Sequence, residues 1–116
     1  MIDEEKLKAI AWHYGRDVQT IKACEEFGEA AASASRLTVA RVNESRAYES
    51  IDDEWRERAT EKVDKAEHDL AEECADCLVM ISQLRLLIPG FSVKVDRAMH
   101  EKIERQINRI EKEQQC

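Results

Sequence analysis

The chain reads as all-α. Three observations predict this: helix breakers are scarce, strand patterns are nearly absent, and apolar residues recur at helical spacing along most of the length. The 116 residues include one proline and three glycines. Only 37–42 is β-branched enough to suggest a strand, and it alternates poorly between apolar and polar positions.

The elements follow in order. A first helix is expected over 4–14, with Asp3 as its N-cap, acidic residues in the first turn and Gly15 at its end. Asp17 then caps a second helix over 18–41, whose apolar stripe is Val18, Ile21, Cys24, Phe27 or Gly28, Ala31, Ala34 and Leu37. Residues 28–35 are small apart from Glu29, which suits close approach of another helix. Residues 43–50 form a weak, polar connection. Ser50 and Asp53 have capping-box spacing. From Ile51 the apolar positions run through Trp55, Ala59, Val63, Ala66, Leu70, Cys74, Cys77, Ile81, Leu84 and Ile88. That is one helix over 51–88, or two with a break near His68, since Asp69 and Glu72 offer a second capping signal. Pro89-Gly90 stops the run. Ser92 caps the last helix, whose stripe of Val95, Met99, Ile103, Ile107 and Ile110 is strongly helical in period. From Glu111 the polar tail is expected to fray.

At this length the chain is one domain, 1–116. Apolar residues make up 43 %, but many are alanine and only 5 % are aromatic. So few large side chains make a thin core for a small chain. We therefore expect a homo-oligomer that completes its core between subunits. The net charge of −7 disfavours nucleic-acid backbones and anionic membranes as partners. No apolar stretch approaches the roughly 20 residues of a membrane span. The acidic N-terminus lacks a signal peptide's apolar core, so a cytoplasmic location is expected. In that compartment Cys24, Cys74, Cys77 and Cys116 read as reduced thiols that pack like small hydrophobes.

Two acidic clusters carry the chemistry. One is Glu25-Glu26-Phe27-Gly28-Glu29 and the other Glu72-Glu73-Cys74-Ala75-Asp76. On a helix Glu26 and Glu29 share a face, as do Glu73 and Asp76. Both pairs sit beside apolar positions, where like charges resist desolvation and raise each other's pKa. Surface acids are usually followed one turn later by a base, as Glu61 is by Lys65; these clusters are not. A hard divalent cation resolves the conflict, because Mg²⁺ prefers oxygen ligands. We expect two facing helices to bring Glu26, Glu29, Glu73 and Asp76 around Mg²⁺, or Mn²⁺ in its place. The bland alternative is a solvated, charge-rich face. A di-iron site would need Glu-x-x-His, and the residues three before His13, His68 and His100 are Ile10, Lys65 and Arg97.

Lys102, Arg105 and Arg109 share one face of the last helix and suit phosphate binding, while the other cations there suit pairing with Glu101, Glu104 and Glu111. Trp12, beside His13 and Tyr14, suits base stacking or simple packing. No glycine-rich phosphate loop or Ser-His-Asp pattern is present.

The run Lys22 to Glu29, followed by Glu73-Cys74-Ala75-Asp76, resembles the E-E-x-x-E … E-x-x-D signature of MazG-type nucleoside triphosphate pyrophosphohydrolases. The basic residues from Lys102 to Arg109 after a Pro-Gly turn look like that family's basic helix. The resemblance spans most of the chain. It implies a MazG-like four-helix unit built by a homodimer, often paired into a homotetramer. It implies Mg²⁺-dependent cleavage of a nucleoside triphosphate to monophosphate and pyrophosphate, a house-cleaning reaction on the nucleotide pool. By position Glu26, Glu29, Glu73 and Asp76 would be the metal ligands, Glu25 an extra acid that orients water or a second ion, and Lys102 the phosphate contact. The chain departs from the pattern in two places. The 43 residues between Glu29 and Glu73 are long for the family, implying a helical insertion around 43–67. Gln106 stands where relatives carry Asn or Arg, which leaves Arg105 or Arg109 to serve.

The expected reaction is metal-assisted hydrolysis at the α-phosphorus, with Glu25 or Glu29 taking a proton and Lys102 and the arginines stabilising the leaving pyrophosphate. Two alternatives stand beside it. One is a non-catalytic helical interaction module whose long 51–88 pattern is a dimer face. The other is a base-specific relative, such as a dCTP or dUTP hydrolase or a phosphoribosyl-ATP pyrophosphohydrolase.

Overall fold

A computed structural model describes residues 2–115. They form α1 (Glu4–Tyr48), α2 (Asp53–Leu87) and α3 (Phe91–Gln115), with no strand among the described residues. No helix is long and apolar enough to cross a membrane.

The Asp3 carboxylate caps α1, accepting from the Glu5 and Lys6 amides at 3.0 and 3.2 Å. Gly15 ends the first helical run as expected: its φ of 83° and ψ of 171° are non-helical, and two helices meet there at a kink within α1. Residues 4–14 are thus a short arm ahead of one long helix, where the Asp17 carboxylate accepts from Arg16 Nε at 3.3 Å. Only glycine adopts the Gly15 backbone without strain, and a Cβ there would touch nothing within 4 Å. Gly15→Ala therefore isolates the backbone cost. We expect a loss of about 1–3 kcal/mol in stability, read as a lower urea midpoint at unchanged slope.

α1 also continues through 43–48, where a connection was expected. The true turn is 49–52. Asp52, not Ser50, caps α2, accepting from the Trp55 amide at 3.2 Å. Arg56 binds the Tyr48 and Ser50 carbonyls, and the Tyr48 and Thr60 hydroxyls meet at 3.2 Å. These contacts clasp the tip of an α1–α2 hairpin and make the tight turn possible without proline or glycine. α2 is unbroken at His68 and ends at Leu87, before Pro89-Gly90, as the sequence predicts. α3 begins at Phe91, so Ser92 lies inside it, and it stays helical through Glu111 to Gln115.

The hairpin packs along two seams with steps of three and four. On α1 the inward positions are Gln19, Ala23, Glu26, Ala30, Ser33, Leu37, Ala40, Glu44 and Ala47. On α2 they are Ala59, Val63, Ala66, Leu70, Glu73, Cys77, Met80 and Leu84. This 3.5-residue period is that of a coiled coil. The expected α1 stripe is thus displaced. Val18, Ile21, Phe27 and Ala31 are exposed, and Cys24 and Gly28 face out with them. The small side chains that let α2 approach are Ala23, Ala30 and Ser33, the last two from the small-residue run 28–35. On α2 the expected Ala59, Val63, Ala66, Leu70, Cys77 and Leu84 do face inward, whereas Trp55 and Cys74 are exposed.

The apolar core is Ala23, Met80 and Leu84, with Ile88 and Phe91 packed against it. Beside it Gln83 is completely buried. Its amide donates to the Leu7 carbonyl at 2.9 Å and its oxygen accepts from Gln19 Nε2 at 3.3 Å. One side chain thus fastens the arm, the long part of α1 and α2 together.

α3 meets this body near its start, where Arg85 pairs with Asp96 at 3.0 Å. None of its residues is buried. Its stripe lies where the sequence predicts, but Met99, Ile103, Ile107 and Ile110 are about half exposed. Cys24, Cys74 and Cys77 are free thiols, and only Cys77 is turned inward, so core packing accounts for one of the three. Cys116 lies outside the described residues.

Candidate metal centre

Glu26 and Glu73 occupy facing seam positions, where a coiled coil would ordinarily hold apolar side chains. Asp76 stands one turn beyond Glu73, at the edge of the same groove. One carboxylate oxygen from each of Glu26, Glu73 and Asp76 lies within 4.8 Å of the others. The sequence therefore brings three of its four expected ligands together. Glu29, the fourth, is outside that triplet, and its charge is among those that raise the Glu73 carboxyl.

The electrostatics of the cluster are unbalanced. Glu26 is 7 % exposed. Lys22 Nζ reaches its Oε1 at 3.1 Å and Glu25 Oε2 at 3.5 Å. The hydrogen bond to Glu26 and the two negative charges hold the Lys22 ammonium above its ordinary pKa. The other oxygen, Glu26 Oε2, is buried without a partner, as is Glu73 Oε2. Burial pushes the Glu73 carboxyl above the usual range, and the charges of Glu29, Asp76 and Glu26 push it further. Buried acceptors without donors are costly, and a cation is one counterpart that these oxygens could take. Burial also raises the Cys77 thiol, which donates to the Glu26 carbonyl at 3.5 Å. A thiol kept protonated is a poor metal ligand, so the donor set is oxygen alone and fits a hard ion such as Mg²⁺.

The remaining expected residues fall elsewhere. Glu25 turns to Lys22, outside the cluster. Trp12 lies on the arm and is 66 % exposed, beside an edge-to-face His13–Tyr14 pair. Lys102, Arg105 and Arg109 line a shallow groove on α3 together with Gln106. They have no ion-pair partner among the described residues, and this single chain does not carry them to the acids. Pairing of the acids with bases one turn earlier was missed: Lys22 precedes Glu26 by four residues, and His68 meets Glu72 at 3.0 Å. That i−4 spacing is as visible in the sequence as i+4 and would have revealed both pairs.

No protein-family model matches the chain, and no curated protein or solved structure shows significant similarity to it. Its function has to be argued from this site.

Proposed function

We propose that the chain is a Mg²⁺-dependent nucleoside triphosphate pyrophosphohydrolase of the MazG type. The observation that carries the reading is the pair of buried, unpartnered oxygens on Glu26 and Glu73, gathered with Asp76 within 4.8 Å. Glu26, Glu73 and Asp76 would hold the ion, with Glu29 beside them. Bound there, Mg²⁺ would neutralise phosphate charge and acidify water at neutral pH. Glu29, beside Glu73 but outside the triplet, would take the proton from a bound water. Glu25 is held by Lys22 and serves to keep that lysine over Glu26. Trp12, exposed on the arm, is free to stack on a base.

A second copy completes this reading. α1 carries an outward row of Ile21, Cys24, Gly28, Ala31, Ser35 and Val42, again spaced by threes and fours apart from the last step, and without a charge. Together with the stripe of α3, it suits a homodimer or a pair of dimers. The same uncovered faces favour the second reading, a helical interaction module with no chemistry.

A panel of nucleoside triphosphates with Mg²⁺ separates the two. The enzyme releases pyrophosphate from at least one nucleotide, and Mg²⁺ with that nucleotide raises the melting temperature. An interaction module does neither.

A further inference from the structure

The hairpin holds a second charged constellation on the side of the acid cluster. Arg36, Lys62 and Lys65 line a groove of about 200 Å³ between α1 and α2, together with Asp69. Its position follows from the helical register. Arg36 is seven residues beyond Glu29 on α1, and Asp69 is seven before Asp76 on α2, which preserves the face over two turns. In an antiparallel hairpin these two steps run in the same direction. The groove therefore lies about 10 Å beyond the acid cluster, toward the hairpin tip, at about 1.5 Å per residue. Long arginine and lysine side chains span much of that interval.

The cations there are mostly uncompensated. Arg36 and Lys62 have no ion-pair partner among the described residues, in a chain whose net charge is −7. Lys65 binds the Asp69 carboxylate at 2.7 Å. That hydrogen bond holds Asp69 below the usual carboxylate range, and the charges of Lys65, His68 and Arg36 add to the effect. Asp69 thus occupies the position of an anion in the groove. The basic face of α3, by contrast, lies on a helix with no buried residue.

We propose that Arg36, Lys62 and Lys65 form a phosphate subsite that holds the far end of a polyphosphate whose near end lies at Glu26, Glu73 and Asp76. This rests on the metal–nucleotide reading for its near end only. The groove gives the substrate a direction: the phosphate tail points toward the hairpin tip and the nucleoside toward the arm. Displacing Asp69 from Lys65 is part of binding.

Inorganic tripolyphosphate is the probe, titrated calorimetrically with and without Mg²⁺ into the full chain. Each of Arg36→Ala and Lys62→Ala weakens binding about tenfold, and Lys62→Arg restores most of it. Asp69→Asn tightens binding by freeing Lys65. Circular dichroism confirms that each variant is helical. Failure of the wild type to bind, or unchanged binding in both groove variants, overturns the subsite. Binding that follows the groove variants while no nucleotide is hydrolysed keeps the subsite and removes the enzymatic reading.

Discussion

Glu26→Gln and Asp76→Asn are each expected to lower Mg²⁺-dependent pyrophosphate release by at least about a hundredfold, because a catalytic metal contributes several kcal/mol of charge stabilisation. Helical content should survive, since neither side chain belongs to the apolar core. Glu73→Gln should lose activity equally but shift stability in an unusual direction. The folded state raises the Glu73 pKa, so between the unfolded value, about 4.3, and the raised one the folded chain binds more protons. Stability then falls as pH rises through that window. Above that window the metal-free protein carries the full penalty, and Glu73→Gln removes it. The metal-free variant should melt on the order of a few degrees higher than wild type at pH 7, with the difference vanishing below about pH 4. Mg²⁺ at a hundredfold excess over its Kd should stabilise the wild type by about 2.7 kcal/mol, roughly 10 °C, and the variant little. A metal-free Glu73→Gln that melts below wild type at pH 7 would refute the like-charge account of the cluster.

Gln83→Ala should give the largest loss of stability. Gln83 is fully buried and serves Leu7 and Gln19 at once. Truncation leaves a cavity and two groups without partners, a cost of about 3 kcal/mol or roughly 10 °C in melting temperature. The loss should be local in its signature. Proteolysis near Gly15 and amide exchange across 4–14 should rise, because the arm loses its tie to α2. The Mg²⁺ response of the acids, about two to three turns away along the hairpin at 3.6 residues per turn, should persist. Equal protection of the arm in variant and wild type would show that Gln83 does not hold it.

What could be read from the sequence follows from how strongly each residue constrains its surroundings. Pro89-Gly90, the Asp3 cap and the α3 stripe involve residues with one dominant local preference, and each lies where expected. The gathering of Glu26, Glu73 and Asp76 was legible because helical spacing beside apolar positions places the carboxylates of two facing helices together. The α1 seam was not legible. Apart from Leu37, its inward residues are alanine, serine, glutamine and glutamate, while Val18, Ile21 and Phe27 face out, so a search for large apolar side chains selects mostly the wrong face. The helix over 43–48 was missed because its stability comes from packing of Ala47 and the tip clasp rather than from local pattern. The separation of Lys102, Arg105 and Arg109 from the acids depends on where α3 points, which no spacing within α3 encodes.

The hairpin is laced at both ends, by Tyr48 and Arg56 at one and Gln83 at the other, and pushed apart by repelling carboxylates at an intermediate level. Such a bow yields in the stretch between its fastenings rather than from its tips. A shallow separation of the two rods at that level opens the carboxylates to water without unfolding the chain.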